Sequence, residues 1–190
     1  TGSKPSPGLP HLILSPYWSG EGRANRLYRP LTQVTFALDE RWSGGRSWAF
    51  HLVNALLHAL GCALLYALVK RLFISQSLAF AAAALFAVHR VLAEAVAGIV
   101  GRAEILSALF VLSALLAARG AAPSWWSPPL YFMALLSKEN ALAYPAAALL
   151  TDALAGLPQG VRWRRRGWEM AALPAGAGAY PALRAHAPVT

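Results

Sequence analysis

The sequence predicts an all-α, polytopic membrane helical bundle with short, broken and re-entrant helices. Three observations predict it. Of 190 residues, 57% are hydrophobic and only 13% charged, whereas a soluble domain carries about 25% charged residues. One apolar run, "WAFHLVNALLHALGCALLYALV" from Trp48 to Val69, is long enough to cross a hydrocarbon core of about 30 Å. The remaining apolar runs are shorter and carry charges between them, as "VHRVLAEAVAGIVGRAE" does from Val88 to Glu104.

Residues 1–46 form a polar, Gly/Pro-marked and aromatic-rich region. It is too interrupted to cross a bilayer and is predicted to be an extracytoplasmic loop with interfacial helices. "SPYWSG" and "YRPL" supply interfacial aromatics, and "LTQVTFALDERW" has the periodicity of a short interfacial helix. The chain does not start with Met, and the expectation is a piece of a longer protein, truncated at both ends.

Residues 47–190 are predicted to be a partial transmembrane domain. The first span, near 48–69, is followed at once by Lys70 and Arg71, which the positive-inside rule places in the cytoplasm. Spans near 78–90 and 103–118 are short at about 1.5 Å per residue, and the charged stretch lies between them on the far side. A broken hairpin near 130–155 has its turn at "SKEN", Ser137 to Asn140. Arg119 and the "RWRRR" cluster at Arg162–Arg166 both belong in the cytoplasm, so an even number of crossings separates them. A final stretch near 168–184 carries Pro174 and Pro181 and returns the chain to the far side, ending at Arg184.

The net charge of +9 is scattered or confined to that arginine cluster. No zinc-ligand spacing, RNP-like aromatic motif or extended basic helix accompanies it, so nucleic acid is not an expected partner. Cys62 is the only cysteine, which excludes a disulfide framework and a cysteine metal site. No metal is expected at the histidines either, because no Asp-rich partner is near in sequence.

Written as a helix, Arg90, Glu94, Gly98 and Arg102 share one face at steps of four, with Val91, Leu92, Ala95, Val96 and Ile99 opposite. Such a segment can lie at the membrane surface with its charges paired at i, i+4. It can equally line a polar cavity for an anionic, lipid-linked ligand. His51, Asn54 and His58 recur at helical spacing on the first span, where they suit interhelical hydrogen bonding. Lys138 and Glu139 are a polar turn tip or a coupled charge pair. Arg29 is a loop charge or a phosphate ligand. A transporter fragment with half-helices around a solute and a non-enzymatic scaffold packed through Ala-rich faces are the rival classes.

Five motifs occur in linked order: "YRPLTQVTFALD", "FHLVNALLHALGCALLY", "ALFAVHRVLAEAVAGIVGRAEILSALFVLSALL", "ALLSKENALAYPAAALLTD" and "ALRAHA". In order and spacing the chain resembles the transmembrane and tetratricopeptide-repeat-containing proteins, O-mannosyltransferases of glycosyltransferase superfamily C, from about Tyr17 to Ala187. The resemblance implies a multi-pass enzyme of the endoplasmic reticulum membrane, or of the plasma membrane in a bacterium. It implies a dolichyl or polyprenyl phosphate mannose donor, Ser or Thr hydroxyls of secretory proteins as acceptors, and no cofactor. A carboxylate of the first lumenal loop would act as general base, and cations would stabilise the leaving phosphate.

On that resemblance Glu94 and Arg102 match "EAV" and "GR" elements of a lumenal re-entrant segment. Arg29, Glu94, Arg102, Arg184 and His89 are then candidates for the donor phosphate and cavity, with His51, Asn54, Lys138 and Glu139 as supporting polar groups. Arg90 and Leu92 stand where the family has Pro and a second His. The acidic base is expected upstream of Thr1, since Glu21, Asp39 and Glu40 do not match its position. The 190 residues alone are therefore expected not to transfer sugar.

Overall fold

The computed structural model describes residues 29–119 and 125–156. Among them are seven α-helices, two 3₁₀ turns and no strand. The predicted span near 168–184, the arginine cluster and the loop before Arg29 lie outside the described residues.

Helix α1, Pro30–Ser43, starts with a proline, whose missing N–H costs nothing at a helix N-terminus, and stops at Gly44 in the left-handed region (φ 64°). Its polarity is inverted relative to a soluble helix. Thr32, Gln33, Asp39 and Ser43 are buried, while Leu38 and Trp42 are 51% and 55% exposed. That arrangement suits a helix whose outer side meets lipid headgroups and whose inner side meets polar groups.

Helix α2, Ser47–Phe73, has 27 residues and is about 40 Å long at 1.5 Å per residue. It extends one turn beyond the predicted span, so Lys70 and Arg71 sit in its last turn, where cations complement the helix dipole. Leu52, Leu56 and Leu60 are exposed along its outer side, the distribution expected of a surface solvated by lipid. Helix α3, Gln76–Val88, is capped by the Ser75 hydroxyl, which accepts the Leu78 N–H at 3.3 Å. It returns antiparallel along α2, with Gly61 facing the Phe86 ring.

Helix α3 breaks at His89, and helix α4, Arg90–Ala97, leaves at an angle of 52°. A 3₁₀ turn, Ile99–Gly101, leads into helix α5, Arg102–Ala117. Helix α6, Ser127–Ser137, a second 3₁₀ turn at Glu139–Ala143 and helix α7, Tyr144–Leu154, complete the described chain. Glu104 at the start of α5 pairs with Lys138 at the end of α6, and Arg119 just beyond α5 pairs with Asp152 near the end of α7. The chain therefore runs out along α5, back along α6, and out again along α7 after a turn at Lys138.

Helices α2 and the Ile99–Ala117 segment are long and apolar enough to cross a membrane, and α3 with α4 qualifies as one bent pair. The molecule is an all-α membrane bundle. Its apolar core, centred on Leu68, Leu115, Tyr131, Leu135 and Tyr144, joins the middle and Arg119 end of the bundle. At that side Tyr144 stacks on Tyr131 with ring centroids 4.8 Å apart and meets the Ser127 hydroxyl at 2.5 Å. The other end is built from polar and charged groups.

Candidate functional site

The polar end gathers α1, the first turns of α2, the broken segment around α4, the start of α5 and the end of α6. Arg102 is its centre. The side chain is 0% exposed, and each nitrogen of its planar fork faces a protein group. Nε donates to Asn54 Oδ1 at 2.7 Å, Nη2 donates to the Phe50 carbonyl at 3.0 Å, and Nη1 pairs with the Asp39 carboxylate. The guanidinium face lies over the Phe36 ring, 4.5 Å from its centroid, a cation–π arrangement that only arginine's flat group allows so fully.

Two local features put Arg102 there. Gly98 leaves the helical region with ψ 128°, ending α4, and Gly101 packs directly on the backbone of Ala95, where any Cβ would collide. The chain thus reverses within three residues and starts α5 pointing inward. This corrects the single-face reading of Arg90, Glu94, Gly98 and Arg102. Arg90 and Glu94 are exposed on α4, whereas Arg102 is buried. A continuous helix would carry all four along one stripe, but the two glycines interrupt it.

Asn54 and His58 both serve the broken segment. Asn54 Nδ2 donates to the Gly98 carbonyl at 3.3 Å while its oxygen accepts from Arg102. His58 Nε2 donates to the Ala87 carbonyl at 3.3 Å, next to the break in α3, and its ring stacks on Phe86. His51, on the same helix, is exposed and outside this network. On α1, Thr32 Oγ1 donates to the Ser137 carbonyl at 3.4 Å, serving the C-terminal end of α6.

Around this buried centre lies a half-buried row of charges. Lys138 pairs with Glu104, and Arg29 pairs with Glu139 at 3.4 Å. Burial pushes the Glu139 carboxyl upward, but its own backbone N–H, Arg29 and then Lys138 outweigh this and hold it below the usual glutamate range. Lys138 and Glu139 thus bind neighbours on α5 and before α1 rather than each other. His89 is exposed at the break. Arg184 lies outside the described residues. Among the described residues no three His, Cys, Asp or Glu side chains are placed to hold a metal ion.

Asp39, which the sequence rules out as the base without offering another role, is the counter-ion of Arg102. The available signal was the stripe Thr32, Phe36, Asp39, Ser43, spaced by four, three and four on an interfacial helix. Three of its four residues are polar, and an acid among them beside an aromatic ring calls for a buried cation.

Fold and polar end together define an integral membrane protein whose helices break beside a cluster of paired charges, the arrangement of membrane enzymes and carriers that handle charged ligands at a bilayer face. Residues 30–181 match the family described as dolichyl-phosphate-mannose-protein mannosyltransferase, and the chain belongs to that family. It is 41% identical to mouse protein O-mannosyl-transferase TMTC3 over 115 residues, covering 59% of this chain and 12% of the relative. Human protein O-mannosyl-transferase TMTC1 is 41% identical over 117 residues, covering 58% of this chain and 13% of the relative. The Caenorhabditis elegans protein O-mannosyl-transferase F38B6.6 is 37% identical over 136 residues, 70% of this chain and 20% of the relative. The matched regions thus span only 12% to 20% of these relatives' lengths. No solved structure matches the chain.

Proposed function

We propose that the intact protein transfers mannose from a dolichyl or polyprenyl phosphate to Ser or Thr hydroxyls of secretory proteins. The membrane is that of the endoplasmic reticulum, and the polar end described above faces its lumen. Lys70, Arg71 and Arg119 mark the opposite, cytoplasmic end. The observation that carries the reading is the pair of half-buried cations at the polar end, Lys138 against Glu104 at the start of α5 and Arg29 against Glu139, in a chain of this family.

The chemistry assigns roles by what each group is free to do. In an inverting transfer the acceptor hydroxyl loses its proton to a carboxylate as the sugar–phosphate bond breaks. Asp39 is engaged by Arg102 and Glu139 by Arg29, and the family resemblance gives the role of base to an acidic residue of the first lumenal loop of the intact protein. The leaving phosphate gains charge, and Lys138 and Arg29 are the cations at the half-buried edge that can exchange a carboxylate partner for it. His89 and Glu94, exposed on the broken segment, line the side from which sugar or acceptor approaches.

The test is made in the full-length protein. Transfer of labelled mannose from dolichyl-phosphate mannose is measured in microsomes for wild type, Lys138→Ala and Glu94→Gln. Loss of transfer in Lys138→Ala, with membrane insertion intact, supports the reading. Wild-type protein that moves no mannose, under conditions where a known transferase does, refutes it.

A further inference from the structure

We infer that Arg102 and Asp39 form a neutral buried strut that positions the donor-binding face, and that Arg102 does not touch the donor phosphate. The positioning half of this inference rests on the proposed mannosyl transfer, whereas the strut itself does not.

A ligand for a polyprenyl phosphate must present N–H groups toward an opening. Arg102 does the opposite. It is fully buried, and its three nitrogens point to three protein acceptors on two helices. Its positive charge is matched by the Asp39 carboxylate, itself buried on α1. The flat face is covered by Phe36. A phosphate arriving at Arg102 would have to displace the Asp39 carboxylate from its cation, leaving a buried charge with only the Trp42 indole N–H, 3.4 Å from Oδ1, to meet it.

What the guanidinium does instead is join four segments that diverge from one another. Asp39 and Phe36 belong to α1, Phe50 and Asn54 to α2, and Arg102 itself opens α5. Asn54 passes the connection on to the Gly98 carbonyl in the turn after α4. Arg102 therefore sets α1, α2 and the turn after α4 against the start of α5, while α6 with Lys138 is tied to the same frame through Glu104 and through Thr32 on α1. Arg102 is a positioning residue, and Asp39 is its partner rather than a proton acceptor.

The two roles separate in a double-mutant cycle on the full-length protein. Arg102→Met, Asp39→Leu and the double variant are compared for folded yield and thermal unfolding in detergent, and for KM and kcat with dolichyl-phosphate mannose. A strut requires each single variant to lose folded protein and the double to recover most of it, because two matched charges leave together. The recovered double then keeps the donor KM within about twofold of wild type, with any deficit in kcat.

A double variant no better than the worse single variant overturns the strut. A folded double whose donor KM rises about tenfold or more identifies Arg102 as a phosphate ligand and overturns the inference as well. Should wild-type protein transfer no mannose, the proposed function fails, while the stability cycle still decides whether the strut exists.

Discussion

Replacing Asn54 by Leu should destabilise the bundle by about 2–3 kcal/mol, although the new side chain is apolar, similar in size and sits in a membrane helix. Asn54 is 0% exposed and holds two bonds in opposite senses. Its oxygen accepts from Arg102 Nε at 2.7 Å, a charge-assisted bond worth about 1.5–3 kcal/mol. Its amide reaches the Gly98 carbonyl at 3.3 Å, and such interhelical bonds in membranes average about 0.6 kcal/mol. Gly98 keeps its bond from the Gly101 N–H, so the stranded group is mainly the guanidinium. Leu brings methyl groups against that cation, so the usual return for burying an alkyl side chain is small here. The assay is thermal unfolding of the full-length protein in detergent, followed by size-exclusion elution, beside His51→Leu. His51 lies three residues earlier on the same helix but is exposed, and its replacement should change stability by no more than about 0.5 kcal/mol. An Asn54→Leu protein as stable as wild type, or a His51→Leu protein equally damaged, would refute the account of how the turn after α4 is held.

Gly101→Ala should be damaging although it adds one methyl group, because that methyl meets the backbone of Ala95 and not a side chain that can turn aside; folded yield should drop sharply, and a normal yield contradicts the close approach. At the opposite end, Arg119→Met leaves the Asp152 carboxylate, 1% exposed, without its ion pair and should cost about 3 kcal/mol, with Asp152→Leu in the same chain restoring much of it. Protein unfolding measured for Arg119→Met alone and with Asp152→Leu decides this, and equal stabilities would show the charges to be uncoupled. Glu139 is held below the ordinary glutamate range, so its contribution to stability is complete above the unfolded carboxyl's pKa and is lost as pH falls through the lower folded value. Wild type should therefore exceed Glu139→Gln in thermal stability near neutrality and converge with it in acid; a gap independent of pH removes the Arg29 pairing as its source.

The apolar half of the molecule was legible in the sequence because lipid as solvent constrains it directly. A long run such as Trp48–Val69 must be a helix, and it lies within α2, Ser47–Phe73. The breaks at His89 and Lys138 showed as charges inside apolar runs. What the linear pattern could not convey was which way Arg102 turns. Period counting assumes an unbroken helix, and two glycines between Ala97 and Arg102 invalidate the count. Asp39 is obscured for a related reason: its place in the sequence rules it out as the family's base and suggests no other role, because that role is set by a partner 63 residues away that only the folded chain supplies.

The buried polar residues and the helix breaks explain one another. A helix interrupted beside lipid leaves backbone carbonyls that water cannot reach, and such interruptions persist only where protein groups meet them. Here the Ala87 carbonyl near the break in α3 takes an N–H from His58, Gly98 after α4 takes one from Asn54, and Ser137 at the end of α6 takes the hydroxyl of Thr32. These donors are spread over α1 and α2, so α1 cannot be an incidental surface helix: its polar side completes the hydrogen bonding of α6 and, through Asp39, the charge balance of α5. Removing α1 would expose Arg102 without a counter-ion and Ser137 without a donor. The proposed donor face exists only while that helix stays seated on the bundle.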